Sequence, residues 1–383
     1  MRKIFIICFS VILCFCQGSI VFAKDEPKLY AKACILMEAE SGRVLYEKNS
    51  KSQMANASTT KILTCYYVIL HSKLNETVKI SKNAARQPKV SLGVREGESY
   101  QLGDLLYGLM LESYNDCAVA LAEHVEGSVP AFEKKINKLA KKMGAKNTHF
   151  VTPNGLDQTD EGGSHRTTAY DLALIMKKCL KNKTFLKITR CLSYSFSDLT
   201  RKRNFSCQNH NALLRSMEGA ISGKTGFTTK AGFCYVGAVK RQQMTLIVVL
   251  LGCGWPPHKT YKWTDVNQLV LYGTKHYERK EYEQKGERLK KINVIQGVRN
   301  KVYGEIKPLK IHWIQKKSED FQIKYTYKKQ IQAPVKMNTT VGKVTYFSGR
   351  NVIGSQNIYA SQSIQEKSVW WYLGKIIVCF FKL

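Results

Sequence analysis

The sequence predicts an α+β fold: an antiparallel sheet with a helical layer, followed by a small all-β domain and a C-terminal amphipathic helix. Three observations predict it. Strand-like apolar runs stand near both ends of the segment 24–276, with helical stretches between them. Short alternating runs fill the segment 292–358. The last residues, 369–383, are apolar except for Gly374, Lys375 and Lys382. The divisions fall at 1–23, 24–276, 277–365 and 366–383.

The first segment reads as a secretory signal peptide. Met1-Arg2-Lys3 is a short basic start, Ile4–Cys16 is almost wholly apolar, and Val21-Phe22-Ala23 supplies short residues for cleavage after Ala23. The apolar run falls short of the roughly 20 residues that a membrane span needs. The mature chain is therefore expected outside the cytoplasm.

Tyr30–Glu38 and Arg43–Glu47 read as a hairpin around Glu40-Ser41-Gly42. Ile62–Leu70 is apolar and reads as a buried helix, with Ser58 at its start. Leu102–Leu111 reads as a short helix. Ser113-Tyr114-Asn115 then sits on the connection before a helix over Asp116–His124, closed by Gly127. Pro130 and Gly144 bracket a lysine-rich helix. Thr168 and Asp171 form a capping pattern that opens a helix through Leu180. Ala220–Gly226, Ala231–Lys240 and Met244–Gly252 read as antiparallel strands that the first hairpin is free to join.

The charged stretch Tyr277–Lys291 reads as a connection. Five runs then suggest the small β domain: Ile292–Val298, Lys307–Ile314, Phe321–Tyr327, Val341–Tyr346 and Asn351–Ile358. It carries no catalytic constellation and reads as a spacer. On a helical tail Lys367, Lys375 and Lys382 share one side, while Trp370, Ile376, Ile377 and Phe380 spread over the other. Such a basic helix, rich in aromatics and short for a span, is expected to lie in a headgroup layer. A plug for the β domain is the competing expectation.

The formal charge is +31 over 383 residues. So basic an exported chain suits an anionic lipid or wall polymer. No nucleic-acid motif is present, and export argues against that partner. Of the 12 cysteines, Cys8, Cys14 and Cys16 leave with the signal, and the odd remainder holds no C-x-x-C pair, so no obligatory disulfide framework is expected. The eight histidines show no H-E-x-x-H or other metal spacing, so neither metal nor cofactor is expected.

The chemistry lies in three short motifs. In Ser58-Thr59-Thr60-Lys61 the serine and the lysine share a helix face. A serine hydroxyl is a weak nucleophile until a base takes its proton. Lysine serves only if its pKa falls from about 10.4 toward neutrality, through burial, a helix N-terminus and neighbouring charge. The motif alone is weak, because an N-cap with a solvated lysine looks the same. Ser113-Tyr114-Asn115 and Lys224-Thr225-Gly226 change the odds. Order and spacing match the S-x-x-K, S-x-N, K-T-G set of penicillin-interacting serine enzymes. Ser58 and Lys61 supply nucleophile and base, and Ser113 a proton relay to the leaving amine. Asn115 holds the substrate amide. Lys224 and Thr225 receive a carboxylate, with Lys224 as fixed positive charge. Gly226 lets a substrate backbone lie against its strand. The N–H groups of Ser58 and Phe227 form the oxyanion hole.

With these motifs the sequence resembles the serine-type D-alanyl-D-alanine carboxypeptidases, the low-molecular-mass penicillin-binding proteins, from about Tyr30 to the C-terminus. The resemblance also rests on Asn115-Asp116-Cys117-Ala118, Pro153-Asn154-Gly155-Leu156-Asp157, Gly223–Thr228 and, in the second domain, Ala333-Pro334-Val335 with Val341-Gly342-Lys343-Val344. It implies the penicillin-binding and β-lactamase-like transpeptidase fold. It also implies removal of the terminal D-alanine from peptidoglycan stem peptides through an acyl-enzyme, covalent inhibition by β-lactams, and an anchor on the outer face of the membrane. Lys262 corresponds to a basic family residue near the substrate carboxylate. Two residues depart from the pattern. Asn56 replaces a usual proline, at small expected cost. Tyr114 replaces a small residue and is expected either to narrow the site as a gate or to point away into the helical layer. A class A β-lactamase shares the motifs, but no E-x-x-L-N run for deacylation lies between Asp116 and Arg215. A catalytically impaired wall-binding protein of the same fold is the other alternative, resting on Tyr114 alone.

Overall fold

The computed structural model describes residues 26–381; the expected signal segment 1–23 and Lys382 lie outside them. A five-stranded antiparallel sheet runs in the order Val44–Lys48, Ala33–Glu38, Met244–Leu251, Gly232–Arg241, Ala220–Thr228. The first hairpin thus joins the late strands, with Ala33 opposite Leu251 and Glu38 opposite Leu246. Period-2 alternation divides the central strands between two cores. Ala33, Ile35, Met37, Ile247, Val249 and Leu251 face the helical layer. Cys34, Leu36, Leu246, Val248 and Leu250 face a cluster that holds Val266 and Leu269 of the helix Tyr261–His276. Buried on both faces, these strands read as continuous apolar runs.

The helical layer follows from local signals. Lys61–His71 is the buried helix behind the first motif. Asn115–Glu126 ends at Gly127, whose φ of 75° suits the left-handed cap that glycine adopts without strain. Val129–Lys142 is capped by Ser128, and Thr168 Oγ1 accepts the Asp171 N–H at 3.0 Å to start Ala169–Cys179.

The second domain packs the ribbon Tyr277–Gln284/Leu309–Lys316 against a six-stranded sheet, with Ile311, Trp313, Val344, Tyr346 and Ile358 in one core. The stretch 277–291, expected as a connection, forms strands Tyr277–Gln284 and Glu287–Ile295 instead. Its charges fall on both faces of the ribbon: Lys280 pairs with Glu278 at 2.9 Å on one, and on the other Glu281 pairs with Lys310 at 2.5 Å and with His312 at 3.2 Å across the strands. The strand Lys301–Ile306 also went unforeseen. Its inward Gly304 interrupts the apolar alternation, and a Cβ there would meet Ile358 at 2.7 Å.

Arg43 joins the two domains. Its guanidinium donates to the Ile314 carbonyl at 2.6 Å and pairs with Glu319. Tyr277 Oη donates to the Leu45 carbonyl at 2.9 Å. The C-terminal helix Val369–Phe380 buries no residue, so it does not plug the β domain. No helix among the described residues is long and apolar enough to cross a membrane.

Candidate active site

Ser58 lies on a 3₁₀ turn, Ala57–Thr60, rather than in the first turn of the α-helix, which begins at Lys61. Ala57 takes a φ of 49°, a left-handed conformation uncommon for a residue with a Cβ. The tighter turn still brings Lys61 Nζ to 3.0 Å from Ser58 Oγ. The Lys61 side chain is fully buried. Its other two partners are Asn115 Oδ1 at 2.9 Å and the Asn154 carbonyl at 2.7 Å. Burial pushes its pKa well below the ordinary lysine value, and the Lys224 charge pushes the same way; Cys117 and Asp116 oppose.

Three oxygen partners surround the Lys61 amine. Two are carbonyl oxygens, which only accept. A neutral amine donates one N–H to each and keeps its lone pair for Ser58 Oγ–H. The three oxygens accommodate the uncharged amine, and burial favours it over the ammonium.

Asn115 is the first residue of its helix. Its Oδ1 serves Lys61 and its Nδ2 donates to the Pro88 carbonyl at 3.1 Å. Ser113 follows a π-turn over Gly108–Glu112 and takes a φ of 70°. Its Oγ is buried without a hydrogen-bond partner. The Tyr114 ring packs over Gly108, where a Cβ would come within 3.0 Å of it, and, like the buried Lys61, Asn115 and Lys224, it does not line the cleft. The expected gate is thus replaced by the alternative, packing in the helical layer.

Lys224 is buried on the strand Ala220–Thr228 and donates to the Thr225 carbonyl at 3.0 Å. Burial lowers its pKa to about 7, with Glu112 opposing. Its proton is thus held less firmly than that of a solvated lysine. Gly226 brings this strand against the nucleophile turn: a Cβ would meet Ser58 N at 2.9 Å and Thr59 N at 3.1 Å. Ser58, Ser113, Thr225, Gly226, Phe227 and Lys262 line one cleft of about 410 Å³, with Glu112, His210, Phe233 and Trp263 on its walls. Lys262 is nearly buried, its Nζ 4.8 Å from the Phe233 ring centre and 4.7 Å from that of Trp263.

Several supporting residues were not assigned from sequence. Asn154 supplies a backbone carbonyl, which no residue type announces. Its neighbour Gly155, at a φ of 86°, approaches so closely that a Cβ would lie 2.0 Å from the Ala57 carbonyl oxygen. His165 is held neutral, its pKa lowered to about 3 by burial, with His149 and Lys61 adding to the effect. Its Nδ1 accepts from Val151 N at 3.0 Å, so Nε2 donates to Thr60 Oγ1 at 2.8 Å. Thr60 Oγ1 in turn donates to the Ala57 carbonyl at 2.9 Å and accepts from Asn56 Nδ2 at 2.8 Å. Asn56, in place of proline, thus ties the nucleophile turn to His165. Asp116 fixes the facing loop by accepting Leu92 N at 3.0 Å and Gly93 N at 2.8 Å. The Pro153–Asp157 stretch was visible as a resemblance, but it carried no side-chain chemistry to read.

Fold and motif residues together define the class as a serine-type hydrolase. A model of the D-alanyl-D-alanine carboxypeptidase family matches residues 20–254, and one of the penicillin-binding protein 5 C-terminal domain matches residues 277–366. The chain is 30% identical over 360 residues to D-alanyl-D-alanine carboxypeptidase DacF of Bacillus subtilis, covering 90% of each. It is 29% identical to DacA of Haemophilus influenzae over 380 residues, 94% of this chain and 92% of that one. Penicillin binding protein 5 of Haemophilus influenzae superposes with a TM-score of 0.69 at 28% identity, covering 89% of this chain and 99% of that one. The chain belongs to the D-alanyl-D-alanine carboxypeptidase family, a family of serine-type hydrolases.

Proposed function

We propose that Ser58 carries the acyl group, that Lys61 activates it, and that the substrate is a peptidoglycan stem peptide ending in D-alanyl-D-alanine. The observation that carries this reading is the buried Lys61 amine 3.0 Å from Ser58 Oγ, with carbonyl oxygens as its other partners. Ser58 Oγ attacks the penultimate carbonyl carbon as its proton passes to Lys61 Nζ. The N–H groups of Ser58 and Phe227 receive the oxyanion, each such donor being worth about 3 kcal/mol. The C–N bond then breaks. Ser113, whose hydroxyl is buried and unpaired in the free protein, gives its proton to the departing D-alanine amine and takes up the one held on Lys61 Nζ, which returns the lysine to its neutral form. Water releases the acyl group. Thr225 and Lys262, which line the cleft, take the substrate's terminal carboxylate, with the charge of the buried Lys224 behind them. Asn115 has a second amide N–H for a substrate carbonyl. β-Lactams acylate the same serine.

The division of labour follows. Residues 24–276 perform the chemistry and 277–365 act as a spacer. The exposed helix within 366–383 holds the enzyme on the outer face of the membrane, after removal of residues 1–23. The impaired wall-binding alternative loses its support because the Tyr114 ring avoids the cleft.

Incubation with penicillin followed by peptide mass spectrometry tests the assignment. The adduct is expected on Ser58, and Ser58→Ala abolishes it while the fold remains. Lys61→Arg, which stays charged, lowers acylation by at least about 100-fold. An adduct on another serine, or labelling that survives Ser58→Ala, refutes the reading.

A further inference from the structure

A second cavity of about 620 Å³ lies in the β domain at the root of the C-terminal helix. Lys291, Arg299, Lys301 and Lys367 line it, with Tyr303 and Trp371. No carboxylate lines it; Glu305 and Glu366, close by in sequence, are both outside its wall. Neutral partners hold three of the cations. Lys291 Nζ stands 4.8 Å from the Tyr303 ring centre and Lys367 Nζ 4.8 Å from that of Trp371. Arg299 donates to the amide oxygen of Gln362 at 3.1 Å. These contacts orient the charges without neutralising them.

The cavity is built onto the helix. Val298 N donates to the Gln365 carbonyl at 2.9 Å, and Lys367 N to the Gln296 carbonyl at 2.8 Å. The turn that presents Arg299 and Lys301 is thereby tied to the segment that launches Val369–Phe380. On that helix Trp370 is 80% exposed and Phe380 79% exposed. A helix lying in the interfacial layer puts its own root at headgroup depth. Four like charges there repel one another unless an anion enters between them.

We infer that this cavity is a site for the phosphodiester headgroup of an anionic phospholipid. It clamps the β domain to the leaflet as the helix inserts beside it. The inference rests on the proposed membrane anchor. A charged headgroup contributes through each neighbouring lysine or arginine and is screened by salt.

The test uses the full chain with its C-terminal helix, and sedimentation with vesicles of phosphatidylcholine alone or doped with phosphatidylglycerol. The triple variant Lys291→Gln, Arg299→Gln, Lys301→Gln is expected to bind the doped vesicles at least about tenfold more weakly. Its binding to phosphatidylcholine and its D-alanine release from a soluble peptide stay at wild-type level. Wild-type affinity of the triple variant for doped vesicles overturns the headgroup site and leaves the anchor standing. Failure of the unaltered chain to bind either vesicle overturns both. If soluble poly(glycerol phosphate) binds the unaltered chain as tightly as doped vesicles do, and the triple variant loses that binding, the site belongs to a wall polymer and the lipid assignment falls. Single substitutions at Arg299 and Lys301, each weakening binding in part, separate a charge effect from damage to the fold.

Discussion

Lys61 and Lys224 are two buried amines a short distance apart, and neither forms an ion pair among the described residues. For Lys224 the folded value of about 7 lies below the ordinary lysine value of 10.5. The unfolded chain therefore binds more protons in that window, and stability falls as pH drops from about 10.5 to about 7. Lys224→Met is expected to stabilise the protein at pH 7 by on the order of 2–4 kcal/mol, with a smaller gain near pH 10. Denaturant midpoints at the two pH values measure this; an equal gain at both would show that desolvation is not the cause. The same titration shapes activity. As pH rises above about 7 the free enzyme loses the Lys224 charge. For peptides with a free C-terminal carboxylate kcat/KM should then decline, while acylation by an ester without that carboxylate should not. Parallel profiles for the two substrates would take Lys224 out of carboxylate capture.

At the scale of single elements, the turn before Ser113 matters most. The π-turn Gly108–Glu112 inserts a residue into the helix, and the left-handed Ser113 behind it turns the next side chain, Tyr114, onto Gly108. Tyr114→Gly is accordingly expected to cost about 2–4 kcal/mol of stability and to leave the substrate range unchanged. Denaturation and a panel of stem peptides would measure both. A wider range at full stability would restore the gate. The sheet, the buried helices and their caps were legible because each rests on a periodic apolar pattern or a single capping side chain. Ser58, Lys61, Lys224 and Gly226 were legible because three spaced motifs agree. Three things were not. A π-turn and a 3₁₀ turn differ from an α-turn in hydrogen-bond register, which composition does not encode. The Asn154 contribution is a main-chain oxygen. The strand Tyr277–Gln284 hides its alternation behind charges that pair across the ribbon.

On the scale of the whole molecule, the proposed anchor should be separable from the proposed catalytic domain. Truncation is expected to release the protein from membranes with its activity intact. The sequence suggests a cut near Ser363, but Ile364 is only 2% exposed, belongs to the β-domain core and pairs with Val335. The clean cut is therefore after Lys367. A chain ending there should be soluble and fully stable, whereas one ending at Ser363 should unfold earlier by about 1–3 kcal/mol. Membrane fractionation and thermal melts of both would show it; retention of the shorter chains on membranes would place the anchor elsewhere.

The pairing of Ala33 with Leu251 sets an order of assembly. A chain delivered amino end first presents its hairpin early, yet one edge of Ala33–Glu38 stays open until residue 251 arrives. Such distant pairing is slow, and in the interval an apolar strand lies bare to any neighbour that can match it. Ser58 emerges with this unfinished half. The strand that carries Lys224 and brings Gly226 against it, Ala220–Thr228, is delivered only much later. The proposed nucleophile is thus delivered early and waits for the strand that completes its site.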